Sequence, residues 1–341
     1  MRAMMSIKIK RLLWTMLCGF VALGGSIVYL KRTRNVEAIK IERLESRLAT
    51  SVSVDNTMDI LLQYPKLSQQ FFKIKDLQDK DTCRNYAQEL FDMYKNPKVL
   101  DLYEQTNKQF ADLSLIEKEL ALAFKRLKSY FPDVKVPQVY SIITGMRGDA
   151  YIGDDGSFIV IGLDYFLGEQ SKYQFVDIPP YIAQGYSPDT VALKVMLLYV
   201  ERFAQYDPMD KTLLGRMIYY GKILFLAQKL FPAKAEHLLL GYTKEQLREV
   251  NGNKTYIWDH FVDNELFYST DRAKEVSYIN PSPHVIEIGP ECPGSIGKWL
   301  GFDIVKQYMR NCSKEKVRKL MACRNSKKIF KDSCYRPKDI A

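Results

Sequence analysis

The stretch DTVALKVMLLYVERFAQYDP, residues 189–208, decides how the rest of the chain is read. Between Thr190 and Phe203 its only charges are Lys194, Glu201 and Arg202, so a helix here has apolar side chains on almost every side and must be enclosed by other elements. Val191, Leu193, Leu197, Leu198 and Val200 are the expected inward face, each worth roughly 1.5–3 kcal/mol when buried. Glu201 is expected to be exposed or salt-bridged. Pro208 marks the end of the run.

Upstream of this helix the apolar period changes from 3.6 to 2. VPQVYSIIT (136–144) and AYIGDDGSFIVIGLDYFLG (150–168) are rich in β-branched and aromatic residues, and GDDG between two such runs signals a hairpin. Elsewhere helical spacing dominates. Residues 101–130 break near Leu113, where Ser114 and Glu117 spell a capping box. Residues 211–231 stop at Pro232; Thr243 with Gln246 caps a long helix through about Thr270; 294–310 is another helix, and Ser313 starts a short last one. The expected fold is α+β and mostly helical, with a small antiparallel-containing sheet at 136–162 packed against the 190–206 helix. One domain is expected over 35–341, ending in a basic helical tail at 306–341.

Charge and hydropathy set the ends apart from the body. Residues 1–34 carry seven Lys or Arg and no acid, and residues 306–338 carry twelve against Glu315 and Asp332, which leaves the rest of the chain net acidic. A nucleic-acid protein would carry its basic residues on the body, interleaved with aromatics, so nucleic acid is excluded as a partner. LLWTMLCGFVALGGSIVYL (12–30) is uncharged, flanked by KIKR and KRTR, and long enough to cross a bilayer as an uncleaved anchor. The basic residues before it outnumber those after it, which favours an exported, periplasmic body. Cys18, Cys83, Cys292, Cys312, Cys323 and Cys334 contain no C-x-x-C pair; the even spacing of the last three permits one tail disulfide or free thiols.

Catalytic chemistry is hard to assemble from these residues. A zinc-peptidase helix needs two His at i and i+4 with a Glu between them, because zinc takes neutral imidazoles and an open position for water. The 190–206 helix offers VMLLYVERF instead, and the chain's three histidines, His237, His260 and His284, form no such pair. WDHFVDNE places Asp259, His260, Asp263 and Glu265 within two helical turns, the one polar cluster that could orient a base; its structural alternative is an acidic face with Trp258, Phe261 and Phe267 turned inward. There is no G-x-S-x-G elbow and no P-loop. GSIG (294–297) lies ahead of a helix and could receive an anion, a weak signal on its own. No cofactor and no small-molecule substrate is identified.

Five segments in order carry a resemblance: DYFLGEQSKY (164–173), TLLGRMIYYGKILFLAQKLFP (212–232), GYTKEQL (241–247), IWDHFVDNELFYSTD (257–271) and ECPGSIGKWLGFDIVKQYM (291–309). Together they resemble the gliding motility lipoprotein GldB family of Bacteroidota over roughly residues 50–330. That family is similar in layout to zincin-like peptidases, whose H-E-x-x-H helix would fall on the opening stretch and whose next Glu-Gly pair would fall on Tyr220 and Gly221. The resemblance implies a degenerate zincin-like scaffold without its metal: a membrane-anchored, non-catalytic cell-envelope protein of gliding or the linked secretion machinery, acting on other envelope proteins. A hydrolase with an unconventional site near His260 and Glu265 is the alternative. Members usually carry a lipobox Cys, but here Thr15, Met16 and Leu17 precede Cys18 and the apolar run continues past it.

Overall fold

The computed structural model describes residues 37–310 and 314–337. The predicted span at 12–30 lies outside them; among the described residues no helix is long and apolar enough to cross a membrane. Contacts divide the chain at Ala38 and Ile39, and the unit from Ile39 onward contains every element below.

Strand β1 (Ile41–Arg43) leads into α1 (Leu44–Ala49), α2 (Val54–Gln63), α3 (Pro65–Gln70), α4 (Lys80–Lys95), α5 (Pro97–Gln109) and α6 (Ser114–Tyr130). Then come β2 (Gln138–Ile142), β3 (Ala150–Ile152) and β4 (Phe158–Gly162). The second half is helical: α7 (Pro180–Ala183), α8 (Val191–Val200), α9 (Leu213–Leu230), α10 (Glu236–Leu240), α11 (Lys244–Gly252), α12 (Lys254–Asp263), α13 (Arg272–Ile279), α14 (Ile296–Tyr308), α15 (Lys314–Ala322) and α16 (Ser326–Ser333). The expected mostly helical α+β architecture is therefore present.

The sheet has the order β1-β2-β4-β3, with β1/β2 and β2/β4 parallel and β3/β4 antiparallel. The GDDG turn makes the hairpin: Ile152 faces Ile159, and Gly156, at φ +71, donates its amide to the Gly153 carbonyl. All five residues of β4 are buried, as a strand covered on both faces requires. β3 packs on α8, so the sheet lies against the expected helix.

Several boundaries differ from the sequence reading, each for a local reason. The 150–168 run is strand only to Gly162 and then a 3-10 turn over Leu163–Phe166. Its buried Asp164 accepts the amides of Thr144 (2.9 Å) and Met146 (2.6 Å) and pins the loop before β3. The capping box at Ser114 does not form. Leu113 is the N-cap, Ser114 bonds to Asp112, and Glu117 instead accepts the Ile41 amide at 3.0 Å and Lys40 Nζ at 2.9 Å, tying β1 to α6. The capping box at Thr243 and Gln246 does form, but the helix it starts ends at Gly252, where Asn253 folds its side chain back onto the Glu249 carbonyl. On α8, Val191, Leu193 and Val200 are buried as expected together with Ala192, Val195, Met196 and Tyr199, whereas Leu197 and Leu198 are only half-buried.

The helical core centres on α9 crossing α14. The two backbones meet at glycines: a Cβ added to Gly301 would lie 1.9 Å from the Met217 carbonyl oxygen, and one on Gly221 would lie 2.4 Å from the Gly301 oxygen. Only residues without a side chain allow that approach. The basic tail is docked on this core. Tyr335 donates to Asp303 (2.7 Å), its ring and that of Phe330 stack on Trp258, and the Lys222 ammonium donates to the Gln205 and Cys323 carbonyls. Burial pushes the Lys222 pKa down to about 8. Cys83, Cys292, Cys323 and Cys334 are free thiols, and Cys312 lies outside the described residues.

Candidate functional site

A cavity of about 290 Å³ opens between α8, α9, the turn joining α10 to α11, and the N-terminus of α14. Its apolar wall is Leu197, Ile223, Leu224, Leu239 and Leu240; its charged groups are Lys194, Glu201 and Lys298. The cleft beside α8 is therefore open and polar at one end.

Lys194 is carried into the cavity by α8, whose neighbouring residues Leu193 and Val195 are fully buried and fix the rotation of that helix. The ammonium lies 4.7 Å from the centre of the Tyr186 ring, and a Cβ on Gly185 would sit 3.0 Å from Nζ, so the glycine makes room for it. Lys298 comes from the first turn of α14 and lies 4.5 Å from the centre of the Tyr220 ring. Each lysine thus rests on the electron-rich face of a tyrosine, a contact that partly replaces lost water. Neither ammonium makes a hydrogen bond or ion pair among the described residues.

The electrostatics follow from enclosure. Burial lowers the Lys194 pKa; Asp149 opposes that, and the charge on Lys298 adds to it. Burial lowers the Lys298 pKa as well, with Glu201 opposing. Glu201 is open to solvent on one side but set in a concave wall, so burial raises its pKa while Lys298 pulls it back. It is exposed, as expected, while its side chain lines the cavity, and it forms no ion pair among the described residues.

The entrance to α14 is rigid. Ser295, the N-cap, has φ +60 and makes no side-chain cap bond. Its amide donates to the Asn280 carbonyl (3.2 Å), Tyr242 donates to the Gly294 carbonyl (3.0 Å), and a Cβ on Gly294 would meet the Ser282 backbone at 2.2 Å. The positive end of the helix dipole faces the cavity, since Pro293, Gly294 and Ser295 all line it. With two ammonium groups, a helix N-terminus and one carboxylate, the arrangement is suited to hold an anion. No imidazole lines it, and the Ser282 hydroxyl is committed to the His284 carbonyl at 3.0 Å.

The residues singled out from the sequence sit elsewhere. His260, on α12, shares a 2.8 Å hydrogen bond with the Tyr278 hydroxyl and packs against Phe261; burial lowers its pKa, against Glu287 and Asp263. Asp259, Asp263 and Glu265 are exposed and none bonds to that imidazole. Phe261 and Phe267 are buried beneath them, with Trp258 half-buried on the tail. Among the described residues no three His, Cys, Asp or Glu side chains are grouped to hold a metal ion. Lys194 and Lys298 escaped the sequence reading, although a single lysine inside VALKVMLL and a lysine directly after GSIG were both visible.

A sequence model of the family described as gliding motility protein GldB matches residues 30–337. The chain belongs to the GldB family. Neither the curated proteins nor the solved structures contain a match. Membership of GldB connects the chain with gliding motility, and the family's lipoprotein name with the membrane-associated envelope. The match takes in both helices that cross at Gly221 and Gly301, and with them every side chain of the GldB cavity.

Proposed function

We propose that this chain is a non-catalytic, membrane-anchored protein of the cell envelope that serves gliding motility, or the secretion machinery linked to it, by holding a protein partner in the cleft between α8, α9 and α14. The carrying observation is the cleft itself: it is open, it presents two cations that make no hydrogen bond or ion pair among the described residues, and the positions on α8 where a peptidase would need imidazoles hold packed aliphatic residues. A degenerate zincin-like ancestry would account for a cleft kept without its hydrolytic residues. Residues 12–30 would hold the body to the membrane on its exported side.

Complementation of a gliding host lacking its own copy tests this. Glu201 is the one carboxylate lining the cavity and so the natural general base of any hydrolytic reading. Glu201→Gln should restore spreading, whereas Leu197→Trp, which fills the cleft from α8, should not, at equal protein level. Loss of spreading in Glu201→Gln with normal folding would overturn the non-catalytic reading. Cys18→Ala should leave the protein in the membrane fraction; its release would make the anchor a lipid.

A further inference from the structure

Two half-buried lysines lining one cleft repel each other, and the repulsion is relieved when an anion binds between them. Lys194 is half-buried, lines the cavity, and makes no hydrogen bond among the described residues. Lys298 is close enough to repel it. The α14 N-terminus adds a third positive element, built into a turn that is pinned by Tyr242 and Ser282. The nearest carboxylates are Glu201, beside Lys298, and Asp149, behind Tyr186 and outside the lining.

We propose that this cavity captures the free carboxylate of an apolar peptide C-terminus, seated between Lys194, Lys298 and the first turn of α14. The net charge calls for an anion. Two ammonium groups and the helix N-terminus, roughly +0.5, against Glu201 leave about +1.5, which a carboxylate offsets without reversing the sign. The neighbouring wall selects what the carboxylate is attached to: Ile223, Leu224, Leu239 and Leu240 offer an aliphatic surface next to the cations. At about 290 Å³ the space is at the lower limit of ligand pockets, about 300–1,000 Å³, which suits the end of a chain and not a folded segment. Carboxylate capture of this kind is an established mode of peptide recognition.

This inference rests on the binding reading above, and its test separates the two. Full-length protein in an uncharged detergent is titrated with an N-terminally fluorescein-labelled Gly-Ser-Leu-Leu peptide, as free acid and as C-terminal amide, with hexanoate and inorganic phosphate as competitors. The free acid should bind at least tenfold more tightly than the amide. Lys194→Met and Lys298→Met should each lose at least tenfold without lowering the melting temperature, and Glu201→Gln should bind as well or better. Equal binding of acid and amide, stronger displacement by phosphate than by hexanoate, or no peptide binding would each overturn the carboxylate assignment, and hexanoate binding as tightly as the peptide would overturn the peptide as its source. Cleavage of the amide peptide, read by mass spectrometry, would instead overturn the non-catalytic reading on which it rests.

Discussion

Gly301→Ala is the most direct probe of the framework that holds the cavity. The added Cβ would lie 1.9 Å from the Met217 carbonyl oxygen, while side-chain carbons essentially never come closer than 3.0 Å to a neighbour. The helices must therefore part by about 1.1 Å along that line. The colliding atom is backbone, so no rotamer change can yield. A gap of about 0.5–1 Å already forfeits a quarter to a half of each dispersion contact, and α9 and α14 bury Met217, Trp299, Leu300 and Phe302 around the crossing. The cost should exceed the usual overpacking range of about 1–3 kcal/mol, so about 3 kcal/mol or more is expected. For a body of this size that lowers the melting temperature by roughly 5 °C or more. Gly252→Ala is the matched control: it lies in helix α11 with nothing within 4 Å of the added Cβ, and should stabilise by about 0.5–1 kcal/mol. Urea titrations of both variants followed by far-UV circular dichroism give the comparison. A Gly301→Ala midpoint equal to that of the wild type would refute the contact reasoning.

Three further outcomes are expected. Asp164→Ala strands the Thr144 and Met146 amides and should cost about 2 kcal/mol or more, with hydrogen exchange accelerating in 144–149 before anywhere else; unchanged exchange there would refute its role. The folded-state pKa of Lys194 lies below its ordinary 10.5, so the folded protein binds fewer protons than the unfolded chain between those values and the burial penalty is full below the lower one. Lys194→Met should therefore be more stable than the wild type at neutral pH, with the gap closing as pH rises toward 10.5; Asp149 and Lys298 are the other charges felt at that ammonium, and a gap that widens with pH would refute the assignment. Cys334 is exposed and should react with a maleimide at pH 7.5 in the folded state, whereas Cys83 and Cys292 should require denaturant, since both are buried and burial pushes the Cys292 thiol up to about 12; equal labelling of all three would refute the packing.

Much of the fold was readable because some signals are local. GDDG needs only its own flanks to specify the β3/β4 pairing, Pro232 stops α9 wherever it lies, and Thr243 with Gln246 closes a cap within one turn. Longer-range features were not readable. Strand β1 has three residues and becomes a strand only by pairing with β2, far along the chain, while Glu117 was diverted from its cap to hold that strand. The cavity was least legible. Lys194 on α8 and Lys298 on α14 are brought to one cavity because both helices pack on α9, an arrangement that the spacing of Gly221 and Gly301 permits but does not announce. The sequence pointed to His260 because imidazole beside carboxylates is a familiar pattern; the structure occupies that imidazole with Tyr278.

The docked tail has a consequence for how the chain is made. Trp258, Asp303 and Lys222 are synthesised before the groups that complete them, Phe330, Tyr335 and the Cys323 carbonyl. Closing such distant contacts costs chain entropy before any packing repays it, so this step is slow compared with helix formation. A chain emerging amino end first would hold an incomplete core until residues 323–335 arrive. Newly made copies would then need shielding from aggregation until residues 323–335 have been added, and a nonsense codon ahead of them would leave Trp258, Asp303 and Lys222 without these partners.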